Sequence, residues 1–299
     1  MTANEEPGTA LDVARLLDQL RVSAFHRKDT AAALARLGDK PRAAARDELM
    51  RLMAMGRAED PARDLRLGGG DTDGAFQRLY TARALAALGP ECAPDAAQAL
   101  RSVIALYPGW IRVQAARELG ALGEPYQPEA AAVLREEVGP GKDRYYGGTN
   151  VNLDAACAFA TWGPEWKDES AAALRRLAGE RRCYLQRPKA ALALADLGET
   201  YRAEALAFLL DAVSSAGLFE SKTIPEATRA ALSLSPSSAG QIARILRGHL
   251  AAPDLGEEER AHVQQALAEL GLPPAFPASA SPGRVRWAAT ARPGCPRDR

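Results

Sequence analysis

A motif of about 36 residues recurs along most of this chain, and it limits the available folds more than any other feature. The motif has the form A-x-x-L-x-x-L-G, and successive copies end 51, 34, 40, 35, 37 and 36 residues apart. The seven positions that end a copy are called the anchors: Gly38, Gly89, Gly123, Gly163, Gly198, Ser235 and Gly271. Self-similarity at such a period is typical of arrays in which each unit buries its apolar face against its neighbours.

Apolar residues keep fixed distances from the anchors. The fourth residue before each anchor is apolar: Leu34, Leu85, Leu119, Phe159, Leu194, Ala231 and Leu267. The eleventh residue after each of the first six anchors is a leucine: Leu49, Leu100, Leu134, Leu174, Leu209 and Leu246. Apolar spacings of three and four residues predict one buried face on a helix, and a glycine fits the end of that helix. Each unit therefore predicts helix A, a turn, helix B and a turn, which gives an all-α fold of about seven helix pairs.

The residues around two anchors carry a family resemblance. Segments 83–89 and 113–123, with Ile111-Arg112 just upstream, resemble HEAT repeats of the bacterial type first named from phycobilisome lyases. The patterns typical of tetratricopeptide and ankyrin repeats are absent from the sequence. The resemblance covers roughly residues 10–271. It implies a right-handed α-solenoid in which helix B lines the concave face.

Composition and spacing predict three regions. Residues 1–8 are expected to be a disordered N-terminus, residues 9–271 the repeat domain, and residues 272–299 a disordered, basic, Pro-rich tail. The tail holds six prolines, five arginines and one aspartate. Insertions at 57–73 and 139–150 lengthen two units at the same point of the repeat. We therefore expect both insertions on one rim of the array, where binding loops often gather.

Overall composition favours a folded cytoplasmic protein of bacterial origin. Basic and acidic residues number 38 each, 47% of residues are hydrophobic, and only 6% are aromatic. No apolar run approaches the roughly 20 residues of a membrane span. The first residues lack the basic and apolar regions of a signal peptide.

No residue set predicts catalysis, a metal or a cofactor. The histidines are followed by Arg27, Leu250 and Val263, so the His-Glu pairs of iron-binding HEAT-like hydroxylases are missing. The four cysteines are isolated, without the C-x-x-C spacing of a zinc site. The glycine-rich stretch 68–74 lacks the EF-hand spacing, and no phosphate-binding loop motif occurs.

Candidate binding residues are aromatic or charged and fall at two places in the repeat. Some lie in or beside the A-to-B turns, and the others point away from the apolar face of helix B. The first group is Trp110, Arg144, Tyr145, Tyr146 and Tyr184, and the second is Arg83, Arg117, Asp154 and Arg229. An alternative for each aromatic is that it fills the gap between neighbouring turns. A third set, Tyr126, Trp166 and Tyr201, follows successive anchors by three residues and predicts packing between units.

The favoured function is a non-catalytic scaffold that binds a protein or peptide on the concave face and on the rim of A-to-B turns. Mixed charge on helix B and a net charge of −4 over residues 1–271 argue against nucleic acid, which selects uniformly basic surfaces. The resemblance also implies two enzymatic alternatives. One is a HEAT-like DNA glycosylase using Trp110, Trp162, Trp166 and Asp154, and the other is a bilin lyase.

Overall fold

The computed structural model describes residues 7–55, 72–138, 145–146, 149–180, 184–215 and 220–272. These ranges contain fourteen α-helices and one hairpin of two-residue strands. The predicted all-α fold is confirmed. The first helix begins at Pro7, two residues before the predicted start at Thr9. Arg144 and residues 57–71 of the first insertion lie outside the described ranges.

Odd-numbered helices correspond to the predicted A helices and even-numbered helices to the predicted B helices. The first seven are α1 (Pro7–Val22), α2 (Arg27–Arg36), α3 (Asp39–Met55), α4 (Thr72–Ala87), α5 (Ala93–Leu106), α6 (Trp110–Ala121) and α7 (Gln127–Val138). Strands β1 (Tyr145–Tyr146) and β2 (Thr149–Asn150) pair antiparallel. The other seven helices are α8 (Val151–Ala160), α9 (Lys167–Gly179), α10 (Arg187–Asp196), α11 (Glu199–Ser214), α12 (Ile224–Leu234), α13 (Ala239–Leu250) and α14 (Glu257–Glu269).

Anchor glycines end the even helices, as predicted. Gly123 and Gly198 have φ angles of +119° and +148°, a backbone region that favours glycine. The anchor that is not glycine, Ser235, has an ordinary φ of −148°. Four anchors are followed directly by a short 3₁₀ turn before the next odd helix, at Pro90–Cys92, Glu124–Tyr126, Pro164–Trp166 and Pro236–Ser238.

The predicted core positions are buried. All six leucines eleven residues after an anchor have no exposed surface, and the seven residues four before an anchor are at most 1% exposed. Small alanines fill the space between them, for example Ala96 and Ala97 on α5 and Ala190 and Ala191 on α10. The buried residues form two hydrophobic clusters that meet at α6 and α7. Close helix approach through small side chains explains the high alanine content.

Even helices pack on one another in an unbroken series. Except for α12 and α13, each helix contacts the next along the chain, and each even helix from α2 to α12 also contacts the next even helix. In the described residues, extensive backbone contact between odd helices is confined to α1 with α3 and α11 with α13. The spacing between successive helices is therefore smaller on the even side of the molecule than on the odd side.

Ion pairs span the wider gaps between odd helices. The arginine on each helix reaches a carboxylate on the next odd helix: Arg46 to Asp95 at 2.6 Å, Arg101 to Glu129 at 2.7 Å, Arg135 to Glu169 at 2.7 Å and Arg175 to Glu204 at 2.8 Å. These four pairs, called the odd-row ladder, join α3 through α11. In three of them the arginine lies twelve residues after one anchor and the acid six residues after the next.

Buried arginines tie the start of an even helix to the end of the preceding odd helix. Nε of Arg27 donates to the Leu20 carbonyl, and Nε of Arg187 donates to the Ala178 carbonyl, both at 2.8 Å. The carbonyls at a helix end lack partners within the helix, so these donors satisfy them. Arg112, singled out in the sequence as opening a B helix, has the same position relative to its anchor and pairs with Glu137 at 2.7 Å.

None of the described helices combines the length and the apolar character needed to cross a membrane.

Candidate functional site

The strongest candidate site lies on three neighbouring even helices, α4, α6 and α8, near the points where α6 and α8 begin. It brings together three of the residues predicted from sequence, Trp110, Arg117 and Asp154. Arg83 lies beside them on α4. The structure places Arg229 on α12, away from this group, and Tyr184 half-buried in the turn before α10. Tyr145 and Tyr146 form β1.

Four aromatic side chains make a continuous strip across three helix pairs. The ring centroids of Phe25 and Tyr80 are 5.0 Å apart, those of Tyr80 and Phe76 are 6.2 Å apart, and those of Phe76 and Trp110 are 5.6 Å apart. Phe25 is 74% exposed, and the other three are half-buried. We call Phe25, Phe76, Tyr80 and Trp110 the aromatic strip. A strip of partly exposed rings held by one another offers rigid apolar area to a partner.

The repeat explains how the strip is positioned. Phe25, Phe76 and Trp110 each lie thirteen residues before an anchor, at or near the start of an even helix. Because the even helices pack side by side, residues with the same position come together on one rim. Sequence reasoning missed Phe25 and Phe76. Comparing the position thirteen residues before each anchor would have found both.

A half-buried carboxylate ends the strip. The side chain of Asp154 on α8 lies beside that of Trp110 on α6. Burial raises the pKa of the Asp154 carboxyl, and the neighbouring Trp110 side chain and the positive charge of Arg117 oppose that rise. The ionised form is therefore only partly compensated by its surroundings. A second cation at this position would stabilise it.

Arg83 is occupied by its own neighbours. Its guanidinium forms an ion pair with Glu118 at 3.0 Å, and Nη2 donates to Oε1 of Gln114 at 3.0 Å. It also lies 5.7 Å from the ring centroid of Tyr80. Arg83 thus links α4 to α6 and supports the Tyr80 ring of the aromatic strip. Within the described residues Arg117 has no such ion pair, so it is the better-placed cation for a partner.

The cysteine close to Asp154 is expected to be unreactive. Cys157 lies about one turn further along α8 and is half-buried. Burial, with the negative charges of Asp154 and Asp196, raises the pKa of its thiol to about 11. The thiolate is the reactive form of cysteine, so a protonated thiol here is a poor nucleophile.

Charged residues continue along the even helices beyond α8. Asp196 and Lys189 on α10 are exposed, Glu226 on α12 is half-buried, and none of the three forms an ion pair in the part of the chain that the structure describes. Further along, Arg229 pairs with Glu269 at 3.3 Å. We call the surface from Tyr80 through Asp154 to Glu226 the even face. Its charges are mixed and mostly unmatched.

The two other tryptophans proposed for a glycosylase lie elsewhere. Nε1 of Trp162 donates to the Arg117 carbonyl at 3.0 Å, and its ring packs on Gly120. Gly120 is ten residues after Trp110 on α6, which is about 15 Å along the helix axis. Trp166 donates to Gln127 at 2.8 Å and stacks on Phe159. The four glycosylase candidates therefore do not converge on one pocket.

Tyr126 and Tyr201 occupy the positions predicted for packing between units. The Arg101 guanidinium lies 5.8 Å from the ring centroid of Tyr126, and the Arg175 guanidinium lies 5.4 Å from that of Tyr201. The hydroxyl of Tyr201 also donates to Asp168 at 3.0 Å. Both rings therefore support arginines of the odd-row ladder.

Among the described residues, no group of three His, Cys, Asp or Glu side chains is arranged to hold a metal ion. Comparison with protein-family models, with curated proteins and with solved structures finds no match to this chain.

Proposed function

We propose that this chain is a non-catalytic interaction protein, a right-handed α-solenoid of seven HEAT-like helix pairs. The closer packing of the even helices supports this arrangement. A stack of helix pairs that is narrow on one side and wide on the other curves toward the narrow side. The even face is then concave, and the odd-row ladder lies on the convex side. The cytoplasmic and bacterial assignments remain predictions from composition.

The partner in this proposal is a protein segment that lies along the even face. The observation that carries it is the aromatic strip, whose Trp110 end lies beside the half-buried Asp154. Exposed rings next to an incompletely compensated carboxylate suit a segment with apolar residues beside a lysine or arginine. Aromatic residues and arginine dominate the binding energy of protein interfaces. Mixed charge on the rest of the even face disfavours a nucleic-acid backbone, which requires a row of unpaired cations.

Affinity capture from a bacterial lysate tests the proposal with a matched pair of variants. Phe25 and Leu11 are both 74% exposed, but only Phe25 belongs to the aromatic strip. Phe25→Ser combined with Arg117→Glu is expected to lose the partners that wild type recovers, because it removes apolar area and reverses a charge on the even face. Leu11→Ser is expected to keep them. Equal recovery by all three proteins would contradict binding at the even face.

A DNA glycosylase is the second candidate, because Asp154 combines a raised pKa with a tryptophan neighbour. Such an enzyme would bind and excise an alkylated base from duplex DNA. A gel-shift and a base-release assay with alkylated duplex separate the two proposals. Release that depends on Asp154 would favour the enzyme, whereas absence of both binding and release would remove it.

A further inference from the structure

The two sides of the molecule differ in how their charges are matched. On the odd side, four arginines of successive helices pair with acids at 2.6–2.8 Å. On the even face from α8 to α12, Asp154, Asp196 and Glu226 form no ion pair among the described residues. On these even helices, Lys189 is the one described cation that also lacks an ion pair. This stretch of the even face therefore carries an excess of negative charge.

The chain itself contains a segment of the opposite sign. Residues 273–299 hold five arginines and one aspartate, a net charge of +4. Subtracting them from 38 basic and 38 acidic residues leaves 33 and 37 for residues 1–272, a net charge of −4. The segment also holds six prolines, which fix φ and lower the entropy lost when a chain is laid down in extended form. Its composition complements the even face in both charge and shape.

The segment starts at the right place to reach this surface. It follows Leu272, three residues after α14 ends, and α14 is the last of the even helices. Helices in contact lie about 10 Å apart, so the three steps from α14 to α8 cover roughly 30 Å. Arg284 is twelve residues beyond Leu272, which is about 40 Å of extended chain. Arg284, Arg286 and Trp287 can therefore reach Asp154 and the end of the aromatic strip.

We propose that residues 273–299 bind the even face of their own chain, with the 284–287 segment at Asp154 and Trp110. An arginine there pairs with the Asp154 carboxylate and lies against the Trp110 indole, a cation–π contact that gains strength when desolvated. Trp287 adds its ring to the aromatic strip. The inference rests on the proposed function, because the segment then competes with a partner for the same surface.

Limited proteolysis of the full chain tests this arrangement without any partner. Trypsin cuts after arginine, so the rate of cleavage after Arg284 and Arg286, followed by mass spectrometry, reports how often the segment is free. Wild type is expected to be cut about tenfold more slowly than Asp154→Asn/Asp196→Asn/Glu226→Gln, which corresponds to a segment bound about nine-tenths of the time. A synthetic peptide of residues 278–292 gives the unprotected rate.

A charge-matched control keeps the comparison fair. Asp18→Asn/Asp47→Asn/Glu124→Gln removes the same charge from exposed acids outside the even face and is expected to be cut like wild type. High salt should abolish the protection, because it screens exposed charges. Protection that disappears on dilution would assign the contact to a second copy and overturn binding within one chain. Equal cleavage of wild type, the even-face variant and the peptide would overturn the proposal entirely.

A second measurement avoids any change to the folded helices. The indole N–H signal of Trp110 in a nitrogen–proton correlation spectrum is assigned with Trp110→Phe. Arg284→Gln/Arg286→Gln is expected to shift that signal, because the substitution removes the cation beside the ring. An unmoved signal would overturn the proposal while leaving partner binding to the even face untouched, since capture experiments test that separately.

Discussion

The odd and even sides of this molecule use the same helices but connect them differently. On the even side, neighbouring helices lie close together, and Gly120 leaves room for the Trp162 ring from the turn after α8. On the odd side, helices α3 to α11 are joined across wider gaps by long arginine side chains. Exposed ion pairs contribute about 0–1 kcal/mol each, much less than close apolar packing. The even side therefore supplies most of the stability between units, and the odd side mainly sets the alignment of neighbouring helices.

Gly120→Ala is expected to have the largest effect on the packing of the even side. A methyl group at Gly120 would lie 2.1 Å from the Trp162 indole, so either the indole or α6 would have to shift. We expect the free energy of unfolding to fall by about 1–3 kcal/mol, measured by urea denaturation. Gly240→Ala is the matched control, because nothing lies within 4 Å of that position on α13. It should raise stability by up to about 1 kcal/mol through helix propensity. Equal effects of the two substitutions would contradict close packing of Trp162 against α6.

Glu48 offers a test on the odd side at the one place where α1 and α3 pack closely. Hydrogen bonds from Arg51, and next from Arg21, lower the pKa of Glu48 from 4.5 to about 2, against the effect of its burial. A lowered pKa means that the stabilisation is fully present above pH 4.5 and is lost as the pH falls toward 2. Glu48→Gln should cost about 1–2 kcal/mol near neutral pH, since both arginines are half exposed.

The measurement for Glu48 is urea denaturation of wild type and Glu48→Gln between pH 7 and pH 3. The difference in unfolding free energy should stay constant from pH 7 to about pH 4.5 and shrink as the pH falls further. A difference that stays constant over the whole range would show that the Glu48 carboxylate charge contributes nothing to the contact between α1 and α3.

A double-mutant cycle on Arg135 and Glu169 measures one step of the odd-row ladder and should give the smallest effect. Their side chains are 53% and 30% exposed, so we expect a coupling energy of about 0.2–1 kcal/mol that shrinks in high salt. Arg135→Gln, Glu169→Gln and the double variant complete the cycle. A coupling above about 2 kcal/mol would mean that the odd side stabilises the stack as strongly as the even side, contrary to the comparison drawn above.

The sequence predicted the helices well because their main determinant is local. Spacing around the anchors located buried leucines such as Leu119 and Leu134, and the glycine at each helix end marked the boundary. Those signals depend only on residues within one helix pair. Trp162 occupies the residue just before an anchor, a position held by leucine in most units, and it is half-buried and packs against the core.

The candidate site was predicted less completely because its contacts cross between units. Trp110 and Asp154 were identified, but their proximity joins residues 44 apart in the chain. Arg83 was expected to face a partner, whereas Glu118 and Gln114 of the next even helix already hold it. The odd-row ladder escaped notice for the same reason. Its pairs become visible only when a position in one unit is compared with a different position in the next.

The succession of neighbour contacts also decides how this molecule would respond to a pulling force. Extensive contacts join each described helix only to the next helix or the one after, so tension between Pro7 and Leu272 must pass through every pair in turn. Ion pairs break over a short distance and re-form readily, whereas packed backbones do not. Under moderate load the ladder would give way first, so that the protein stretches and recoils before any helix unravels.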